Sequence, residues 1–177
     1  MTLLIRPARA EDWPAIWNIV EPTIRAGETY ALDTEMSEEA GRAYWLGSDK
    51  ETFVAESEKT VLGTYYLRAN QPGGGAHVCN CGYMTHPHAM GRGIARQMCL
   101  HSLEYAKTRG YRAMQFNFVV STNERAIRLW QSLGFHIVGR LPLAFRHPKY
   151  GDVDALVMFR SLSATDLTPP AFLPHSA

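Results

Sequence analysis

Nothing in the chain approaches the run of roughly eighteen apolar residues needed to cross a bilayer. Met1 to Arg6 also lacks the long apolar segment of a secretory signal. No membrane partner is expected, and the protein is expected in the cytoplasm. Cysteine is scarce: Cys79, Cys81 and Cys99 form an odd set without a disulfide framework. Cys79 and Cys81 would share one face of a strand, but no Cys-x-x-Cys partner accompanies them. Core packing is expected of them, and no metal site. An excess of one charge is missing too. With 18 Lys+Arg against 17 Asp+Glu, the formal net charge is +1. No basic stripe forms, which excludes a nucleic acid partner held by phosphate attraction.

What is present is enough for one core: 177 residues, 46% of them hydrophobic, are sized for one domain. Within it, Pro87-His88-Ala89-Met90-Gly91-Arg92-Gly93-Ile94-Ala95 joins a β-like run, His77 to Thr85, to a helical pattern carried by Ile94, Ala95, Met98, Cys99, Leu103 and Ala106. Glycines at such a junction let the backbone approach a ligand, and the unpaired amides of a first helical turn attract an anion. A pyrophosphate is the natural occupant. A dinucleotide fingerprint would need a small residue where Arg96 stands, and a P-loop needs a Gly-Lys-Ser/Thr ending that the chain lacks.

The segment His88-Ala89-Met90-Gly91-Arg92-Gly93 resembles the Gln/Arg-x-x-Gly-x-Gly/Ala turn of the GNAT superfamily of N-acetyltransferases, with His88 where Gln or Arg is usual. Downstream, Asn123-Glu124-Arg125-Ala126-Ile127-Arg128-Leu129-Trp130-Gln131-Ser132-Leu133-Gly134-Phe135 is similar to that family's second signature, Asn-x-x-Ala-x-x-Leu-Tyr-x-x-x-Gly-Phe. Order and separation both match, and the resemblance spans roughly residues 2–162. It implies an α/β (α+β) GNAT fold: a mixed, twisted central sheet of about seven strands, helices on both faces, and a V-shaped split between the two central parallel strands.

The pattern along the chain gives β-α-α-β-β-β-α-β-α-β-β. Strands are expected at Thr2 to Pro7, Thr52 to Glu56, Val61 to Leu67, His77 to Thr85, Ala113 to Val120, His136 to Leu143 and Val153 to Arg160. Helices are expected from Asp12, as cap, to Arg25, from Ser37 to Leu46, from Gly91 to Thr108 and from Glu124 to Leu133. Gly27 to Asp33 reads as a loop, and Pro142 should disturb its strand. Residues 1–162 are expected to form a single acetyltransferase domain and 163–177 a loosely attached tail rich in proline and small residues.

The resemblance further implies acetyl-CoA as co-substrate, lying in the split. The amides of Met90, Gly91, Arg92, Gly93, Ile94 and Ala95 would hold its pyrophosphate, with His88, Arg92 and Arg96 beside it. Gly82, Tyr83 and Met84 would pair with the pantetheine arm, and Asn123 and Trp130 would contact it. A homodimer is possible by resemblance. The acceptor is expected to be a primary amine on a small molecule: an amino acid, a polyamine or an amine-bearing toxic compound. A protein N-terminus or lysine, or a silent acyl-CoA sensor, are the alternatives.

An alkyl amine with pKa of about 10.4 is neutral in only about one part in a thousand, or fewer, near pH 7, so a base is expected. Glu28 in the Gly27 to Asp33 loop is the first candidate, with His77 and His86 behind it. Tyr30 and Asp33, with Glu28, are candidate acceptor contacts. A backbone amide near Tyr83 or Met84 is the candidate oxyanion donor. Trp130 stands where many relatives place a tyrosine acid. Either the Tyr83 hydroxyl replaces that acid, or none is needed because a thiol with pKa near about 8.5 leaves readily.

Overall fold

A computed structural model describes residues 2–163. The expected tail therefore lies outside the described residues, apart from Ser163. The elements run β1 (Leu4–Pro7), α1 (Trp13–Ala26), α2 (Glu38–Trp45), β2 (Glu51–Ser57), β3 (Thr60–Ala69), β4 (Val78–Thr85), α3 (Ile94–Thr108), β5 (Ala113–Val120), α4 (Glu124–Ser132), β6 (His136–His147) and β7 (Gly151–Ser161). All seven strands form one sheet in the order β1-β2-β3-β4-β5-β7-β6. The β4–β5 pair is parallel and the others are antiparallel. The expected element order and mixed sheet are both present.

Alternation along the strands sends side chains to two cores, one on each face of the sheet. On one face Val54, Tyr66 and Met84 meet Trp13, Ile16, Trp17 and Val20 of α1 and Trp45 of α2. On the other, Phe53, Tyr65, Leu67, Cys79, Cys81, Met114 and Phe116 meet Ile94, Met98 and Leu103 of α3 and Trp130 of α4. All three cysteines are buried and free. Trp45 ties α2 to the sheet through a buried bond from its indole Nε1 to Thr64 Oγ1, 3.0 Å long.

Local details depart from expectation in four places. Asp12 stands at the start of α1 but makes no side-chain cap there. Its carboxylate instead accepts from Arg6 at 2.7 and 2.8 Å and from the Arg9 amide at 2.7 Å, a stronger set of charge-assisted bonds. The long helix starts at Ile94 rather than Gly91, because Gly91 and Gly93 hold φ of +81° and +77°, which no right-handed helix allows. β3 reaches from Thr60 to Ala69. β6 continues past Pro142 to His147 as an edge strand, with its register broken between Leu141 and Phe145 and Leu143 at φ +50°. An edge is where a strand tolerates a missing donor. Ser37 does cap α2, accepting from Ala40 N at 3.2 Å.

Candidate active site

The parallel strands β4 and β5 stay paired for only two positions, Val78 with Ala113 and Cys79 with Met114. Past Cys79 the side chain of Asn80, 7% exposed, stands in for the ladder, donating from Nδ2 to Gln115 O at 2.9 Å. The strands then part into the expected V. A polar chain continues across its floor: Gln115 Nε2 donates to Asn117 Oδ1 at 2.8 Å, and Asn117 Nδ2 donates to Asn70 Oδ1 at 2.7 Å.

Backbone direction in β4 settles which groups face the opening. The N–H and C=O of one extended residue point to the same neighbouring strand, and the next residue points to the other. Val78 O accepts from Asn70 N, and His86 N donates to Leu62 O, so even-numbered positions face β3. Cys81 and Tyr83 therefore turn their backbone groups to the split. Of the expected Gly82, Tyr83 and Met84, only Tyr83 offers its amide and carbonyl there. Its carbonyl already accepts from Tyr30 Oη at 2.9 Å. Gly82 matters sterically instead, since a Cβ added there would sit 2.7–2.9 Å from the Tyr66 ring and hydroxyl. Met84 is buried in the α1–α2 core.

A cleft of about 260 Å³ fills the V. Tyr83, Phe116, Asn123, Ala126 and Trp130 line one part of it, and Tyr30, Tyr44, Tyr66, Arg68, Asn80 and Asn117 another. Trp130, 8% exposed, packs its ring 5.1 Å from Tyr83 and 5.2 Å from Phe116. Asn123 lies at the lip of α4, its Oδ1 accepting from Ala126 N at 3.2 Å, so its side chain caps the helix while facing the cleft.

β4 leads through the turn Pro87–Ala89 to Met90, Gly91, Arg92 and Gly93. Gln97 N to Gly93 O, 3.1 Å, is the first bond at helical spacing. The amides ahead of it belong to the first turn and are not used by the helix. Nothing lies within 4 Å of a Cβ built at Gly91 or Gly93. Arg96, on the same turn, donates to Ser132 Oγ on α4 at 3.0 Å, bringing the two signature helices side by side. His88 gives its amide to His86 Nδ1 at 3.3 Å, and the two rings lie 5.3 Å apart.

The candidate base and acid are placed less favourably. Glu28 pairs with Lys149 at 2.9 Å and lines an adjoining hollow with Thr122, Asn123, His147 and Tyr150, not the cleft itself. The hydrogen bond from Lys149, and then its charge, hold the Glu28 carboxyl below the usual range, which weakens it as a base. Asp33 accepts from Glu35 N at 2.9 Å within its own loop. His77 precedes β4 at the closed end of the V, with its carbonyl bonded to Arg112 N. The Tyr83 hydroxyl meets Ser102 Oγ on α3 at 2.7 Å, and burial pushes the phenol well up. Tyr30 and Tyr66 are pushed up for the same reason.

Sequence reasoning missed Asn80, Asn117, Arg68, Tyr44 and Tyr66. Alternation alone could have placed Asn80 and Gly82 on one face, but the use of that face depended on β3 lying alongside. Among the described residues no group of His, Cys, Asp and Glu could hold a metal ion, and no helix is long and apolar enough to cross a membrane.

A parallel pair that parts beside a helical first turn with unused amides forms a ligand cleft with a place for an anion at its edge, as a phosphate-bearing co-substrate would need. The family model for the Acetyltransferase (GNAT) family matches residues 13–135, and the chain belongs to that family. Its chemistry is acetyl-CoA-dependent acetyl transfer. A GCN5-related N-acetyltransferase from Kribbella flavida is 44% identical, with a TM-score of 0.86 over 90% of this chain and 97% of that one. The N-acetyltransferase aca1 of Schizosaccharomyces pombe is 28% identical over 151 residues, 76% of this chain and 72% of its own. A phosphinothricin acetyltransferase from Sinorhizobium meliloti, solved in complex with AcCoA, shares the fold at 24% identity, with a TM-score of 0.81 over 97% of this chain and 95% of that one.

Proposed function

We propose that the protein transfers an acetyl group from acetyl-CoA directly to the amine of a small molecule. The observation that carries this is the small size of the cleft. About 260 Å³, bounded on one side by the loop that carries Tyr30, falls just below the usual range of ligand sites, about 300 to 1,000 Å³. A peptide acceptor would need a longer groove instead.

In this reading the amides from Met90 to Ala95, with Arg92 and His88 nearby, hold the pyrophosphate. The pantetheine arm runs along the split beside Asn123 and Trp130. The Tyr83 amide, turned to the split, is the oxyanion donor, in place of Met84. Tyr30 closes the acceptor side, while Glu28 and Asp33 shape the loop around it. Trp130 packs and does not donate a proton, and the thiolate leaves unassisted. Attack is direct: the free amine's nitrogen bonds the thioester carbon, the carbonyl oxygen becomes the oxyanion, and the carbon–sulfur bond then breaks as the nitrogen's proton passes to water, so no acyl-enzyme forms. One sheet flanked by helices on both faces supports reading 1–162 as one catalytic domain, and the free cysteines fit a cytoplasmic setting.

The test is acetyl-CoA-dependent release of CoA across amino acids, polyamines, aminoglycosides and pooled peptides, with product masses determined. A defined acetylated small amine supports the reading. Products from peptides alone refute it, and saturable acetyl-CoA binding without transfer to any of them points to a sensor.

A further inference from the structure

We propose that Arg68 reads an anionic group on the acceptor, so that the site takes amines carrying a carboxylate or comparable oxyanion and rejects di- and polycationic amines. This rests on the small-amine reading above. Among the described residues Arg68 is the only charged side chain lining the cleft; no Asp, Glu, His or Lys joins it there. A second ammonium on the acceptor would find no carboxylate to meet it and one guanidinium to repel it. The surroundings reinforce the sign. Asp49 is shared between Arg68 Nη1 at 3.2 Å and Lys50 Nζ at 2.9 Å, so two cations lean on one carboxylate. Lys50 is turned over the Tyr44 and Tyr66 rings, 4.9 and 5.6 Å from their centroids.

Arg68 is also incompletely satisfied. Its Nε is buried without a hydrogen-bond partner, which holds for no other buried side-chain nitrogen or oxygen among the described residues. A guanidinium drawn partly out of water with a donor unused carries a desolvation cost that its pairing with Asp49 offsets only in part. The side chain remains 34% exposed, so part of it is open to a ligand.

The phosphates of acetyl-CoA are not the anion in question. Arg68 stands opposite Asn80 in the β3–β4 register. The glycine turn begins beyond Thr85, about 16 Å further along the strand at a rise of about 3.3 Å per residue. The same register sets Arg68 beside Asn80 and Tyr66 on the face under the Tyr30 loop, across from Trp130 and Asn123. An amine directed at the Tyr83 side of the split would thus leave an anionic group a few bonds away near the guanidinium.

The experiment compares kcat and KM for amino acids, their carboxamides, their decarboxylated amines, aminophosphonates and spermidine. The enzymes are the 177-residue chain and its Arg68→Met, Arg68→Lys and Asp49→Asn variants. In the unsubstituted enzyme, acids should have KM lower than their amides by on the order of 10- to 100-fold. Arg68→Met should remove that preference by raising KM for acids while leaving KM for amides and for acetyl-CoA in place. Arg68→Lys should keep part of it, and Asp49→Asn, which breaks the ion pair but keeps the guanidinium, should keep it all. If Arg68→Met does not fold, the acid-to-amide ratio in the unsubstituted enzyme and in Arg68→Lys decides. Equal use of acids, amides and spermidine, or a preference that survives Arg68→Met, overturns the proposal. The ratio between carboxylates and phosphonates tells which oxyanion is read. Transfer to peptides and to none of these amines would sink the small-amine reading itself, a distinguishable outcome.

Discussion

Raising the pH from 6 to 8 should raise kcat/KM for an amine acceptor of pKa near 10 about a hundredfold, in a straight logarithmic line with no inflection near a carboxylate or imidazole pKa. Among the described residues, the lining of the cleft holds no Asp, Glu or His. Its phenols Tyr30, Tyr66 and Tyr83 are pushed above their ordinary value by burial, and burial pushes the Cys81 thiol up as well. None of these accepts a proton near neutrality. Glu28, held below its usual range by Lys149, is ionised throughout this interval and is a weaker base for it. The reactive species is then the free amine, whose fraction rises about tenfold per pH unit below its pKa. The assay is the initial rate of CoA release at subsaturating acceptor, in buffers matched for ionic strength, for the unsubstituted enzyme and for Glu28→Gln. The two lines should run parallel. A level profile with an acid limb between about pH 5 and 7 that disappears in Glu28→Gln, or in a His77 or His86 variant, would refute this and restore a general base.

Gly82→Ala should destabilise the protein by about 1–3 kcal/mol, since its Cβ would come 2.7 Å from the Tyr66 ring; urea unfolding reads the loss, and a raised acceptor KM shows Tyr66 displaced into the cleft. Trp130→Tyr should leave the chemical step within about threefold in single-turnover kinetics, whereas a true general acid is worth about a hundredfold or more. Asp12 is held below its ordinary pKa chiefly by hydrogen bonds from Arg6. Its contribution is therefore fully present above the unfolded carboxyl value and is lost as pH falls through the lower folded one. Asp12→Asn should cost about 1.5–3 kcal/mol at neutral pH and flatten the acid limb of a urea-midpoint against pH curve.

The glycine turn and the α4 signature, the segments proposed above to hold the carrier, were legible in the sequence because each is contiguous. Gly91 and Gly93 announce a backbone that no side chain with a right-handed preference would choose, and both hold positive φ. Asn123 through Trp130 is one helical stretch whose spacing survives without any knowledge of its neighbours. The acceptor half is of another kind. Tyr44 comes from α2, Tyr66 and Arg68 from β3, Asn80 from β4 and Asn117 from β5. They converge because antiparallel pairing sets Arg68 against Asn80 and because two strands part after Cys79. No local pattern encodes that convergence, since a strand's alternation tells which residues share a face but not which face the active site adopts. Glu28 illustrates the converse. Its loop position suggested catalysis, yet its partner Lys149 lies 121 residues away in sequence, in the turn between β6 and β7, and sets its protonation. In the proposed function, local motifs thus specify where the carrier binds. Acceptor choice, in the proposed reading, rests on register and on single side chains such as Arg68, positions that can change without disturbing either signature, which is how one fold can serve many amines.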